Sequence, residues 1–452
     1  MGGVGRRAWL SLCAAIVACL ALAPSAHAAF GFTGLAAAPT NPAAGANSDV
    51  AIHIGFKSPS DDVKDLTVAL PPGLVGNPRA TPLCTLAQLQ GDSCPSASQV
   101  GTVTTSANAH LLDPLPLTLP LTVNGSLYNV EPAAGQPARF GIVLRPTGSD
   151  PLPLLEKIIQ VSDVKLRKGD FGLNTVLTDI PNVAHAAGQA LTVPIDITAI
   201  DIQLSGTVGG NGFMRNPTSC GMKTTRFIAD SHTNPNKLVV GNASFTSTNC
   251  ASLPFSPTFR AWVGSAGRTS AGTKPPLTTQ ITQDAGEAGL NSARVLLPFS
   301  LTPNFDVLSG ALCSEAQFRS NAAACPANSI VGSAQATSPF LSAAEAGSVV
   351  VVPPSRGDQL PRLGVDLHGP LTLQLMGQFV APAAGIGQTF DGLPDIPISK
   401  FVLRFKAGGL VVAAQDLCKP PKLPFKLNFG GWNGAAVNAS VVPTVQGCGN
   451  GG

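Results

Sequence analysis

The chain is short of charge and of polar aromatic rings. Lys, Arg, Asp and Glu make up 12% of its 452 residues, and 28 basic side chains nearly balance 25 acidic ones. That is about half the charged fraction of an average globular domain. A nucleic-acid binder shows a clustered basic footprint. Here the densest basic run is Lys165-Leu166-Arg167-Lys168, which reads as a solvated strand end or turn, so no nucleic-acid partner is expected. Trp and Tyr number only three and one, which leaves few rings for a sugar to stack on.

The usual catalytic signatures are also missing. There is no Gly-x-Ser-x-Gly, no His-Glu-x-x-His and no phosphate-cradling Gly-Lys-Ser or Gly-Lys-Thr loop. His53, His110, His185, His232 and His368 stand in no nucleophile context. Without a Cys-x-x-Cys, and with histidines far from the cysteines, a zinc site is not expected. Calcium needs several acids in one loop. Asp61-Asp62 is the one adjacent acidic pair and reads as a hairpin turn. Asp179 and Asp395 each begin an Asp-Ile-Pro and read as turn-to-strand junctions. No cofactor and no catalytic residue is predicted.

The N-terminus is a targeting pattern. Arg6 and Arg7 precede an apolar run from Ala8 to Ala23, then Pro24 and the small-x-small Ala26-His27-Ala28. This predicts a signal peptide over 1–28. A competing reading, a lipoprotein box at Ile16-Val17-Ala18-Cys19, would lipidate Cys19. Against it, apolar Leu20-Ala21-Leu22 follows where a polar tether is usual. Beyond this segment no apolar run approaches the ~20 residues of a membrane-crossing helix, so no transmembrane segment is expected in the mature chain. The expected location is secreted, extracellular or in the cell envelope.

Of ten cysteines, Cys13 and Cys19 lie in that leader. The other eight fall into sequential pairs: Cys84 with Cys94, Cys220 with Cys250, Cys313 with Cys325, and Cys418 with Cys448. Export places them in an oxidising compartment, where an even count predicts disulfides. Eight cysteines allow 105 pairings. An internal repeat selects this one, because each copy contains one close pair and one pair thirty residues apart.

Val68-Ala-Leu-Pro-Pro-Gly-Leu-Val-Gly-Asn77 aligns with Val295-Leu-Leu-Pro-Phe-Ser-Leu-Thr-Pro-Asn304 at an offset of 227. Cys-x-x-Ala-Gln-apolar occurs at 84–89 and 313–318, and Cys-Pro-x-x-Ser-x-Val-Gly at 94–101 and 325–332. Arg139-Phe-Gly-Ile-Val-Leu144 aligns with Arg362-Leu-Gly-Val-Asp-Leu367. A period this long is domain-sized, which predicts two related modules rather than a solenoid. The Gly/Ser/Thr/Pro-dense stretch near Phe259–Lys274 places the modules at 29–262 and 263–452.

The local pattern is β. Val50-Ala-Ile-His-Ile-Gly-Phe, Ile200-Asp-Ile-Gln-Leu-Ser and Phe401-Val-Leu-Arg-Phe-Lys alternate with period two, as half-buried strands do. The run Val349–Val352 predicts a strand buried on both faces. Helix is expected only over Thr85–Leu89 and Ser314–Arg319, each opened by a capping hydroxyl. The fold class is therefore all-β: tandem β-sandwich-like modules with short, disulfide-clipped helical turns. Each close cysteine pair is read as a corner brace, and each wide pair as a clip on a hairpin or on the closing strands of its module.

At these boxes the chain resembles a family of uncharacterised secreted proteins of high-GC Gram-positive bacteria. The likeness is carried by Leu70-Pro-Pro-Gly-Leu-Val-Gly-Asn-Pro78, Cys94-Pro-x-x-Ser-x-Val-Gly101, Asn216-Pro-Thr-Ser-Cys220 and Cys250-Ala-Ser-Leu-Pro-Phe-Ser-Pro257. It implies secretion and tandem β modules, and no activity. The second copy diverges, with Pro298-Phe-Ser for Pro71-Pro-Gly and Gln415-Asp-Leu-Cys418 for Pro217-Thr-Ser-Cys220.

The leading functional expectation is a secreted binding, adhesion or envelope-scaffold protein with an unknown protein or cell-wall glycan partner. A secreted carbohydrate-active enzyme or glycan-binding protein is the alternative. The expected contact lies in the proline-stiffened loop 419–434, through Lys419, Phe425, Lys426 and Trp432. Arg356-Gly357-Asp358 is read as ordinary turn chemistry.

Overall fold

A computed structural model describes residues 30–57, 61–111, 117–146, 155–188 and 192–449. The expected signal peptide, with Cys13 and Cys19, lies outside these residues. In chain order the main strands of the first half are β1 (Gly31–Pro39), β2 (Val50–Lys57), β3 (Val63–Ala69), β4 (Gln99–Leu111), β5 (Leu117–Val130), β6 (Ala138–Arg145), β7 (Ile158–Leu166), β8 (Leu173–Leu177), β9 (Thr192–Leu204), β10 (Gly221–Ser231) and β11 (Val239–Ser247). Those of the second half are β12 (Thr258–Val263), β13 (Leu277–Thr282), β14 (Leu290–Leu296), β15 (Ile330–Thr337), β16 (Glu345–Val352), β17 (Arg362–His368), β18 (Thr372–Val380), β19 (Gly387–Phe390), β20 (Lys400–Phe405), β21 (Phe425–Gly431) and β22 (Ala436–Val441).

The two sheets share one spatial order. The first runs β1-β2-β9-β4-β5-β6-β7-β8-β3-β10-β11, and the second β12-β13-β20-β15-β16-β17-β18-β19-β14-β21-β22. Each strand of the first sheet has its counterpart eleven labels on. All pairings along these paths are antiparallel. Each sheet curls until its edges meet in a sandwich-like fold, covering the unpaired backbone that edges otherwise present. Phe32 and Leu35 of β1 lie over Gly241 of β11. In the second module Phe259 of β12 packs against Phe425 and Phe429 of β21, with ring centroids 5.7 and 6.4 Å apart.

Period-two alternation builds the cores. Val50, Ile52 and Ile54 point inward on β2 and meet Leu204, Ile202 and Ile200 of β9 across the ladder. The Val349–Val352 run is buried on both faces, as expected. Val349 and Val351 join the main core, while Val350 and Val352 pack under Cys313, Phe318 and Cys325.

The helical turns form where the capping hydroxyls predict them. In α1 (Leu86–Gln90) the Thr85 hydroxyl accepts from the Gln88 N–H and the Gln88 side chain accepts from the Thr85 N–H, a complete capping box. In α2 (Glu315–Asn321) the Ser314 hydroxyl accepts from the Gln317 N–H. Each turn seats one apolar side chain over a glycine of the strand below: Leu89 over Gly141 of β6, and Phe318 over Gly364 of β17. A Cβ at either glycine would come within 2.5 Å of Leu89 or 2.7 Å of Phe318.

The four disulfides join Cys84–Cys94, Cys220–Cys250, Cys313–Cys325 and Cys418–Cys448. The close pairs tie a helical turn to the entry of β4 or β15. The wide pairs clip the open ends of the β10–β11 and β21–β22 hairpins.

The sheets divide between Ser247 and Thr258. Residues 258–262, expected to close the first module, pair with β13 in the second sheet. The reason is burial: Phe259, Ala261 and Val263 alternate into the second core.

Candidate functional site

The two modules meet along a buried seam, where the Asn216-Pro-Thr-Ser-Cys220 box and the Pro71-Pro72-Gly73 turn converge. The Thr218 backbone N–H donates to Asp395 Oδ2 at 2.8 Å, and the Thr218 hydroxyl donates to Asp395 Oδ1. That hydroxyl also accepts from the Gly289 N–H at 3.0 Å. Arg215, 7% exposed, donates from Nη2 to the Glu287 carbonyl at 2.7 Å. The neighbouring Asn216 amide holds the carbonyls of Asn41 and Ala43. The Asn-Pro-Thr-Ser-Cys box is thus a clamp between modules, fixed at its end by Cys220–Cys250.

The turn Pro71-Pro72-Gly73 faces the same place. Gly73 has φ +86°, and a Cβ there would come within 2.6 Å of Asp395 Oδ2. Glycine is required both by the left-handed backbone and by the close approach. Burial pushes the Asp395 carboxyl upward, opposed by hydrogen bonds from Thr218 and the charges of Arg215 and Lys223. The Asp-Ile-Pro reading as a mere junction missed this burial. Asp179 is exposed instead and pairs with Lys64 at 3.0 Å.

Trp432 belongs to the seam as well. It is half-buried, its Cδ1 lies against Gly289, and its indole N–H donates to the Leu393 carbonyl at 2.9 Å. At the matching end of β10 in the first module, His232 Nε2 donates to the Ile180 carbonyl at 2.8 Å. Trp432 is therefore a lid and not a free ring.

Of the other expected contact residues, Phe425 is fully buried in the second core. The expected loop 419–434 contains a strand, β21, on which Phe425, Leu427 and Phe429 face inward while Lys426 and Asn428 face out. Lys419 and Lys426 are exposed. Lys419 lies 3.8 Å from Asp416, and Lys426 sits 5.9 Å over the ring of Phe299. Phe299, 64% exposed, was not singled out by sequence reasoning. The alignment held the signal, since Phe299 replaces Pro72 of the seam-facing turn. The histidines do not converge. His53 pairs with Asp201, His110 with Asp196 and His368 with Asp366, each at a separate place on a sheet. Among the described residues no group of three or more His, Cys, Asp or Glu is placed to hold a metal ion.

Each curled sheet encloses an apolar cavity beside the seam. The cavity of the first module has a volume of about 140 Å³ and that of the second about 130 Å³. Their walls are almost wholly hydrocarbon.

Four disulfides fit an extracellular or envelope compartment, and among the described residues no helix is long and apolar enough to cross a membrane. No protein-family model matches the chain, and no curated protein matches it. Among solved structures it is similar to a membrane-anchored protein of Corynebacterium diphtheriae, at 8% identity over 76% of this chain and 95% of the other, with a TM-score of 0.21. It is also similar to the type II cohesin dyad from the adaptor ScaA scaffoldin of Acetivibrio cellulolyticus, at 10% identity over 91% and 96%, with a TM-score of 0.15. At such scores neither likeness assigns a role to the chain.

Proposed function

We propose that the chain is an exported, duplicated binding protein that holds a partner protein on the outside of its second module. Four disulfides and export fit an extracellular or envelope setting. The shared strand order and the matched glycine seats support descent of both halves from one module. The first module commits its Pro71-Pro72-Gly73 face to the seam. At the corresponding turn the second module carries an exposed aromatic, Phe299, where the first has Pro72.

The single observation that carries this reading is Phe299. It occupies the position of Pro72, is 64% exposed, and lies under Lys426. An exposed aromatic beside a cation, on a face whose twin is an interface, has the composition of an interface anchor. The experiment is retention of the full, oxidised chain on envelope fractions of the producing cell. Phe299→Ser together with Lys426→Ser should lower retention at least tenfold with the thermal midpoint unchanged. Undiminished retention of this double variant refutes the assignment.

A further inference from the structure

The cavities of the two modules are parts of one file. A small cavity of about 20 Å³ lies between them at the seam. It shares the side chains of Leu166, Phe171, Leu341, Leu371 and Ile396 with the first-module cavity. It shares Ala336, Leu373, Pro394 and Ile398 with the second. At the far end of the first module a cavity of about 60 Å³ shares Ile142 and Leu177 with its neighbour. Four apolar cavities therefore lie in sequence through both modules, each sharing lining side chains with the next.

Three details make this more than loose packing. First, close-packed cores hold few voids larger than a water molecule, and an apolar cavity of ~150 Å³ stays dry and takes up hydrocarbon. Second, Phe171 stands in the partition between first cavity and seam with φ +56°. A bulky residue in the left-handed region is a strained outlier, and such strain persists only where the surroundings impose it. Third, Gln388 lines the second cavity, and both its amide atoms are buried without a hydrogen-bond partner. Leaving a buried amide unsatisfied is costly, and native structures rarely do so.

Charge selects the class of molecule. Among the described lining residues of all four cavities no Lys, Arg, His or Asp occurs, and the one ionisable group is Glu345 at the seam. Its Oε1 accepts from the Leu371 N–H at 2.8 Å, its Oε2 is buried without a partner, and burial pushes its carboxyl upward. An anionic head group would find no counter-charge here to offset its desolvation.

We infer that this file of cavities is a binding site for one uncharged long-chain lipid, its hydrocarbon threaded past Phe171 and a hydroxyl or ester oxygen held by Gln388. A chain suits the site because only a long, thin molecule fills consecutive narrow cavities. The amide supplies both a donor and an acceptor, which matches a hydroxyl or ester and not a bare alkane.

The test uses the full chain with its disulfides formed. N-phenyl-1-naphthylamine is bound first and displaced by 1-oleoylglycerol, by oleate at pH 8 or by hexadecane. Saturable displacement by 1-oleoylglycerol at one per chain is expected, with oleate at least tenfold weaker. Gln388→Leu should weaken 1-oleoylglycerol about two- to tenfold, the loss of one hydrogen bond, and leave hexadecane unchanged. Ala336→Leu, which narrows the passage between seam and second cavity, should weaken 1-oleoylglycerol more than 1-octanoylglycerol. It serves if Gln388→Leu does not fold. No dye uptake by the folded chain overturns the site. Oleate binding as tightly as 1-oleoylglycerol overturns the ligand class. A Gln388→Leu effect equal for hexadecane and 1-oleoylglycerol overturns the role of the amide.

Discussion

Thr218 and Asp395, 177 residues apart, meet across the module seam with two hydrogen bonds, one from the Thr218 backbone and one from its hydroxyl. The Thr218 hydroxyl also accepts from the Gly289 N–H, a contact that crosses the same seam. Asp395 is 6% exposed and Thr218 1%. The pair therefore makes docking of the modules a condition of burying either polar group.

Thr218→Val removes the hydroxyl donor and leaves Asp395 Oδ1 and the Gly289 N–H short of partners. Loss of about 2–3 kcal/mol of stability is expected, since a buried acceptor and a buried N–H are left under-bonded in a dry seam. Urea denaturation checks it. Thr218→Ser, which restores the hydroxyl, should recover most of the loss.

The seat of α2 gives a coupled prediction. Gly364→Ala drives a methyl into the Phe318 ring and should cost about 1–3 kcal/mol, the usual penalty of overpacking. Phe318→Ala alone should cost about 3–5 kcal/mol through the cavity it leaves. Because the two groups contest one space, the double variant should be more stable than the sum of the single losses implies. Thermal unfolding of all four proteins closes the cycle.

Asp62 gives a pH dependence. Burial, with the nearby Asp196 charge adding to it, pushes its carboxyl up to about 6. A carboxyl raised on folding favours the folded state when protonated, below about pH 4. That contribution is lost as pH rises from about 4 through about 6. Asp62→Asn should therefore raise stability at pH 7.5, by about 1 kcal/mol after allowance for solvent screening, and change little at pH 4. Urea midpoints at the two pH values decide the sign.

Much of the fold was legible because it is local or repeated. Thr85 and Ser314 announce α1 and α2, and the offset of 227 lays Val63–Ala69 on Leu290–Leu296, which are counterpart strands β3 and β14. The seam was not legible. Nothing near Asp395 in sequence reveals that Thr218 covers it, because burial there arises from a contact between modules. The strand Thr258–Val263 shows period-two alternation but not which sheet it joins, so the boundary was set some residues late. Alternation of Phe425, Leu427 and Phe429 with Lys426 and Asn428 did mark a strand, yet the flanking prolines drew it into a loop. The cavities depend on sheet curvature, which no single segment encodes.

The most direct measurement is photo-crosslinking in the producing cell. A benzophenone side chain is placed at position 299 in one protein and at position 72 in another. Position 299 should yield adducts to a second protein, while position 72, next to Gly73 at the seam, should crosslink only within the chain. Partner adducts at 72 and none at 299 would contradict the assignment of the second-module face around Phe299 as the binding surface.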